Sequence, residues 1–307
     1  MSYSICCNLV DELIKNLPAT ENIQEIDLIL DNGAFNGLYL YGILIYLKKM
    51  ESLNKLKIKR ISGSSIGATL AALYLTDNID LTDAIFDKAR GCLKENFNLQ
   101  EWREILTQVA NQKLSLELMK EKINDRLFVN YFDTETCQEI VKSNFDTKED
   151  LIDALYKSSF IPILINGELS YNNCIDGFNP MLFDERTSED NKCLFVHLVQ
   201  SEIIMKSINV SNDKNPSFRA VEGINSIHKF FIGENQKLCS YVNNWSSRQL
   251  LYYRLRQIFY FMIVYLIKLV TIIKMYIPDS LYSTPMYNFI SQFVAKFYKD
   301  IMVKICF

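Results

Sequence analysis

The pentapeptide Gly63-Ser64-Ser65-Ile66-Gly67 has G-x-S-x-G spacing, in which a serine occupies a sharp strand-to-helix corner with its Oγ presented at the end of a sheet. Small residues two positions to either side relieve crowding at such a corner. A helix beginning just beyond it brings partial positive charge to the serine and favours the negative charge that develops in acyl transfer. A serine nucleophile also needs a base. Asp176 lies in the turn-rich stretch Asn173-Cys174-Ile175-Asp176-Gly177-Phe178-Asn179-Pro180, from which a loop carboxylate can project. His197 lies further along, so Ser65, Asp176 and His197 occur in the order of one known kind of triad. His197 is also flanked by apolar strand residues, where a packed core histidine competes with that role, and His228 on a helix reads as structural. The developing oxyanion needs backbone N–H donors, and Asp31-Asn32-Gly33-Ala34-Phe35-Asn36-Gly37 offers them at the start of a helix. Neither G-x-G-x-x-G nor G-x-x-x-x-G-K-[ST] is present to make this a nucleotide loop.

The flanking sequence supplies elements that could position these residues. Glu25–Leu30 reads as a short buried strand ending at Asp31, and Leu38–Lys49 as a buried helix closed by lysines. Leu56–Ile61 and Ala68–Leu75 repeat that strand-to-helix logic around Ser65, which predicts an α/β fold with a mostly parallel sheet. Residues 77–125 place apolar side chains such as Trp102, Ile105, Leu106 and Val109 at helical spacing, a helical insertion able to flank a site mouth. Leu127–Phe132 and Leu194–Val199 are further strand candidates; Lys148–Tyr156 and Ser217–Phe231 are predicted helices.

The 307 residues carry a net charge of −3 and are 49% hydrophobic, which excludes a disordered chain and the broad basic field that nucleic acid requires. The eight cysteines show no CxxC spacing and no histidine cluster, so reduced thiols in an intracellular protein are expected. Met1–Val10 lacks the basic and apolar regions of a signal peptide, giving an expectation of cytoplasmic location. Charge is unevenly spread: +6 from Arg248 to Phe307 and −9 over the rest. That basic tail contains the uninterrupted apolar run Ile258–Ile267, shorter than the about twenty residues a spanning helix needs. Extension to Ile277 would put Lys268 near mid-bilayer at about 2.5–3.5 kcal/mol. Spanning is disfavoured but stays open for this run; a helix lying on an anionic membrane surface and a helix packed on the body are the other two readings, and both apply to Met286–Phe307 as well.

Together these pieces resemble the patatin-like phospholipases, which use a Ser–Asp dyad. The family's glycine-rich loop reads DGGGxRG; Asp31 to Gly37 matches its length, its first aspartate, its second glycine position and its final glycine, with Asn32 and Ala34 replacing glycines and Asn36 the arginine. The family's G-x-S-x-G is matched by Gly63–Gly67, and its DG[GA] motif by Asp176-Gly177, with Phe178 where a small residue is usual. Ala154–Pro162 looks like its A-S-x-x-x-P segment. The matches span Ile26 to Pro180.

The resemblance implies a three-layer α/β/α domain with a mostly parallel central sheet over residues 1–235; it does not cover 236–307, which the charge and apolar patterning mark as a helical, basic and apolar C-terminal appendage. It makes Ser65 the nucleophile and Asp176 the base, with the amides of Gly33, Ala34 and Phe35 as oxyanion hole. Asp31, Asn32, Asn36, Gly37, Gly63, Gly67 and Gly177 support the motifs. It implies no cofactor and no metal, and a glycerophospholipid, lysophospholipid or neutral acyl glycerol as substrate. Two alternatives stand beside it: an α/β-hydrolase esterase with a Ser65–Asp176–His197 triad, and a catalytically silent lipid- or membrane-binding protein.

Overall fold

The computed structural model describes residues 3–17, 23–183, 192–199, 207, 210 and 217–307, apart from the side chains of residues 279 and 282. In chain order, α1 (Tyr3–Ile14) leads to β1 (Gln24–Leu30), α2 (Gly37–Ser52), β2 (Leu56–Ser64) and α3 (Ile66–Leu75). The predicted insertion is α4 (Thr82–Asn96), α5 (Trp102–Lys113) and α6 (Leu116–Lys122). β3 (Leu127–Asp133), β4 (Gln138–Lys142), α7 (Lys148–Ser158), β5 (Cys174–Asp176), β6 (Lys192–Val196), α8 (Ser217–Phe231) and β7 (Cys239–Tyr241) follow. The chain closes with α9 (Ser247–Tyr276), α10 (Asp279–Tyr282) and α11 (Pro285–Cys306).

The sheet runs β4-β3-β2-β1-β6-β7, with β5 also paired to β3. Its four central strands are parallel, with Leu28 opposite Ile61 on one side and Leu194 on the other. The outer pairings are antiparallel. Parallel neighbours require crossovers, which α2 supplies between β1 and β2 and the α3–α6 segment between β2 and β3. The chain is thus mixed α/β with a mostly parallel central sheet, as the sequence predicts.

Period-two alternation divides the strands between two cores. Leu28, Leu30, Val129, Leu194 and Val196 face α1, α2, α3, α7 and α8. Ile29, Phe195 and Phe132 point the opposite way, into clusters completed by Tyr253 and by Tyr260, Val264 and Ile267, all from α9. The expected separation of a body ending at 235 from an appendage therefore needs correcting. β7 extends the sheet beyond that point, and α9 is itself the helical layer on the sheet's second face. Without it Phe132 and Ile175 would lose most of their cover, at about 1.5–3 kcal/mol per large apolar side chain, while Ile29 and Phe195 would keep Phe183, Val242 and Trp245 but lose Tyr253.

The predicted strand over 194–199 stops at Val196: the His197 amide still donates in the β7 register to the Leu238 carbonyl at 2.6 Å, but the amides of Leu198 and Val199 turn to the Asp31 carboxylate. Three short strands, β4, β5 and β7, are not apparent from the sequence.

Candidate active site

Ser65 sits between the end of β2 and the start of α3 with φ 55° and ψ −126°, a backbone region that costs a non-glycine residue about 1–3 kcal/mol. The flanking glycines make the corner possible. A β-carbon on Gly63 would lie 2.6 Å from the Ala68 nitrogen, and one on Gly67 2.7 Å from the carbonyl oxygens of Leu30 and Asp31. The corner is also pinned from α7: the Ser65 amide donates to Ser158 Oγ at 2.9 Å, and Ser158 Oγ donates to the Asn130 carbonyl at 2.7 Å. The Ser65 side chain is buried and lines a cavity instead of standing open at the sheet edge, because Ile161, Pro162 and Tyr260 wall that cavity.

Asp176 is the last residue of β5, not a loop residue as expected. Its amide donates to the Phe160 carbonyl at 3.0 Å, and β5 pairs with β3. Gly177 follows because its α-carbon presses on β3: a β-carbon there would lie 2.2 Å from the Asn130 carbonyl oxygen. The Asp176 carboxylate accepts from the Phe178 amide at 2.7 Å and, at the outer limit of 3.5 Å, from Ser64 Oγ. Burial pushes its pKa up to about 6, while hydrogen bonds from the Ser65 hydroxyl, the Phe178 amide and Ser64, and the charge of Arg256, hold it from rising further. A carboxylate in hydrogen-bond reach of Ser65, ionised just below neutral pH, is suited to take a proton from that hydroxyl.

The loop from Asp31 to Gly37 arches over the same cavity, which has a volume of about 240 Å³ and is lined by Asn32, Gly33, Ala34, Ser65, Asp176 and Phe178 among others. Ala34 adopts left-handed backbone at φ 44°, a conformation that ordinarily favours glycine. Among the described residues the amides of Gly33 and Ala34 meet no other acceptor. The Phe35 amide donates to the Ser207 carbonyl at 2.9 Å, which removes it from the expected oxyanion hole and leaves Gly33 and Ala34. The Phe35 side chain is buried near Phe86, ring centroids 6.1 Å apart. Beyond Ser65 and Ala34 a second, apolar chamber of about 50 Å³ runs between Phe35, Ile66, Phe86 and Trp102. It is walled by α4 and α5, so the helical insertion does border the site.

His197 does not join Ser65 and Asp176. Its Nε2 pairs with Ser240 Oγ at 2.6 Å, and its ring packs on Phe195 at 4.4 Å. Burial pushes its pKa down to about 4. The triad of Ser65, Asp176 and His197 is therefore not assembled; an imidazole at the end of a buried strand is committed to its neighbours. His228 pairs with Tyr46 at 3.0 Å, away from the cavity. Among the described residues no three of His, Cys, Asp and Glu group so as to hold a metal ion.

Three further residues shape the site. Ser158 holds the serine corner; it lies in the segment likened to A-S-x-x-x-P, which was the available signal. Tyr260 lines the cavity, donates its hydroxyl to the Asp176 carbonyl and stacks on Phe178 at 4.6 Å. Arg256 forms a two-pronged ion pair with Asp31, Nη1 to Oδ2 at 2.9 Å and Nη2 to Oδ1. Asn36, standing where the resemblance expects arginine, accepts from Arg219 of α8 at 3.1 Å.

No protein-family model matches this sequence, and no curated protein matches it.

Proposed function

We propose that this chain is a carboxylic ester hydrolase of patatin-like phospholipase type, acting on acyl lipids through a Ser65–Asp176 dyad. The observation that carries the reading is a serine held at φ 55° within hydrogen-bond reach of a buried carboxylate whose pKa is about 6, beneath the Gly33 and Ala34 amides. Asp176 takes the Ser65 proton as Oγ attacks the ester carbonyl, and the Gly33 and Ala34 amides stabilise the oxyanion. Collapse of the tetrahedral intermediate expels the alcohol, which receives the proton from Asp176, leaving Ser65 acylated. Asp176 then takes a proton from water as that water attacks the acyl-enzyme, and returns it to Ser65 as the fatty acid leaves. The apolar chamber lined by Phe35, Ile66, Phe86 and Trp102 suits the start of an acyl chain.

The same reading has the protein working from the cytoplasmic side, bound peripherally to the lipid surface. One stripe of α9 is buried on the sheet, and Lys268 donates to the Glu135 carbonyl at 2.6 Å, so this helix is committed to the body although it is long and apolar enough to cross a membrane. Its outer face and that of α11 still carry exposed Phe259, Met262, Tyr265, Phe289 and Phe293, with exposed Arg254 and Lys274 beside them. That combination suits partial insertion among anionic headgroups.

The test is hydrolysis of phospholipid, lysophospholipid and acylglycerol by purified wild type, Ser65→Ala and Asp176→Asn with chelator present. Wild-type turnover that falls about 10³-fold or more in both variants is expected. Turnover that survives both substitutions, or folded wild type inert on every lipid class, would sink the reading.

A further inference from the structure

Of the eight basic residues between Arg248 and Phe307, only Arg256 is buried, at 8% exposure. A guanidinium taken out of water costs several kcal/mol unless its donors and charge are matched. Here the partners of its two terminal nitrogens belong to the site, while Nε meets no acceptor among the described residues. Besides the two-pronged contact with Asp31, Arg256 Nη2 donates to the Phe178 carbonyl at 2.9 Å and approaches Asn32 Oδ1 at 3.4 Å. Asp31 in turn accepts from the amides of Leu198 and Val199, both at 3.1 Å, and from that of Asn32 at 3.1 Å.

One side chain therefore joins three segments. Asp31 and Asn32 open the loop that presents the Gly33 and Ala34 amides. Phe178 lies two residues past the base Asp176, and Leu198 and Val199 continue from the end of β6. The neighbouring turn of α9 adds Tyr260, whose hydroxyl meets the Asp176 carbonyl. Within the loop itself Asn36 carries no charge, so the cation neutralising Asp31 comes from 225 residues along the chain.

We infer that Arg256 is a positioning residue for ester hydrolysis: by clamping Asp31 to Phe178 it holds the oxyanion loop and the base-bearing strand end at a fixed separation, which makes α9 an integral part of the catalytic unit. The catalytic consequence rests on the acyl-hydrolase reading; the clamp itself does not. A two-pronged contact is needed because a single point of attachment would leave the loop free to rotate about it, and a displacement of about 1 Å costs about a hundredfold in rate.

The experiment compares wild type, Arg256→Met, Arg256→Lys and Ile267→Ala in the full chain, by amide hydrogen exchange and by ester-hydrolysis kinetics. Arg256→Met should speed exchange about tenfold in residues 31–37 and 176–180 and lower kcat about a hundredfold with a smaller change in KM. Arg256→Lys keeps the charge and loses the fork, so it should fall between the two. The groups facing Asp176 are Ser64, Ser65, the Phe178 amide, Tyr260 and Arg256. Loss of the arginine charge should therefore move the acid limb of the kcat/KM profile upward in Arg256→Met and leave it in place in Arg256→Lys. Ile267→Ala loosens α9 without touching the clamp, and should leave both loops protected. If both arginine variants match wild type in loop exchange and kcat, or if Ile267→Ala frees the loops as much as Arg256→Met does, the inference is overturned. If Arg256→Met does not fold, the loop exchange and kcat of Arg256→Lys decide. If wild type hydrolyses no ester while the loops respond as expected, the clamp stands and the hydrolase reading fails.

Discussion

Replacing Asp176 with asparagine should stabilise the protein while abolishing the proposed ester hydrolysis, because the carboxylate is ionised in a site that solvates it poorly. Burial raises its pKa from 3.8 to about 6. Between those two values the folded chain holds a proton that the unfolded chain has released, so stability falls as pH rises through the window and the full penalty applies above it. At 1.36 kcal/mol per unit, a shift of about two units corresponds to about 3 kcal/mol. Asparagine has nearly the same shape and no charge; its Oδ1 can still accept from the Phe178 amide, and the hydroxyls of Ser64 and Ser65 can turn to accept from its Nδ2. Urea unfolding of wild type and Asp176→Asn should therefore show the variant about 3 kcal/mol more stable at about pH 8, narrowing to below about 1 kcal/mol at about pH 4. A gain of equal size at both pH values would place its origin outside the carboxylate's charge. A loss of stability at the higher pH would refute the argument outright.

On the proposed mechanism the same group sets the pH dependence of turnover: kcat/KM should rise as Asp176 ionises, with a midpoint near 6, and then level off in a pH–rate profile. His197→Ala should leave kcat within about threefold while lowering the unfolding midpoint, since that ring serves Ser240 and Phe195; lost turnover in a folded variant would restore the triad. Gly67→Ala should destabilise by about 3 kcal/mol or more in thermal unfolding, because its β-carbon would meet two backbone oxygens at 2.7 Å that cannot yield cheaply. Phe259→Glu together with Met262→Glu should weaken binding to anionic vesicles about tenfold or more in a sedimentation assay; unchanged binding would place the membrane contact elsewhere.

Much of the frame was readable because its signals are local. The aliphatic runs of β1 and β2, each followed by glycine-containing corners and buried helices, announce two strand-to-helix units, and the structure has both. Ser65 and Asp176 come together as their motifs implied. Phe35 fails as an oxyanion donor because its amide is taken by Ser207, a partner no pattern within the loop reveals. The three-residue strands β5 and β7 are too short to show alternation, so Asp176 read as a loop residue and the sheet's edge beyond 235 went unseen.

What the sequence by itself determined is the Ser65 corner. Gly63 is required by the Ala68 nitrogen just past Ser65, within reach of the motif itself, whereas Gly67 answers the Leu30 and Asp31 carbonyls at the end of β1. What only the tertiary structure decided is the role of the C-terminal helix. The stretch from Ile258 to Ile267 is apolar on every side, so it carries no periodic mark of which stripe is buried, and Arg256 looks like one more charge in a basic tail. Packing selects Tyr253, Arg256, Tyr260, Val264 and Ile267 as the inward stripe, because the bare second face of the sheet and the buried carboxylate of Asp31 both need a partner. Such a pairing depends on where distant segments lie in space, and no local pattern can encode it.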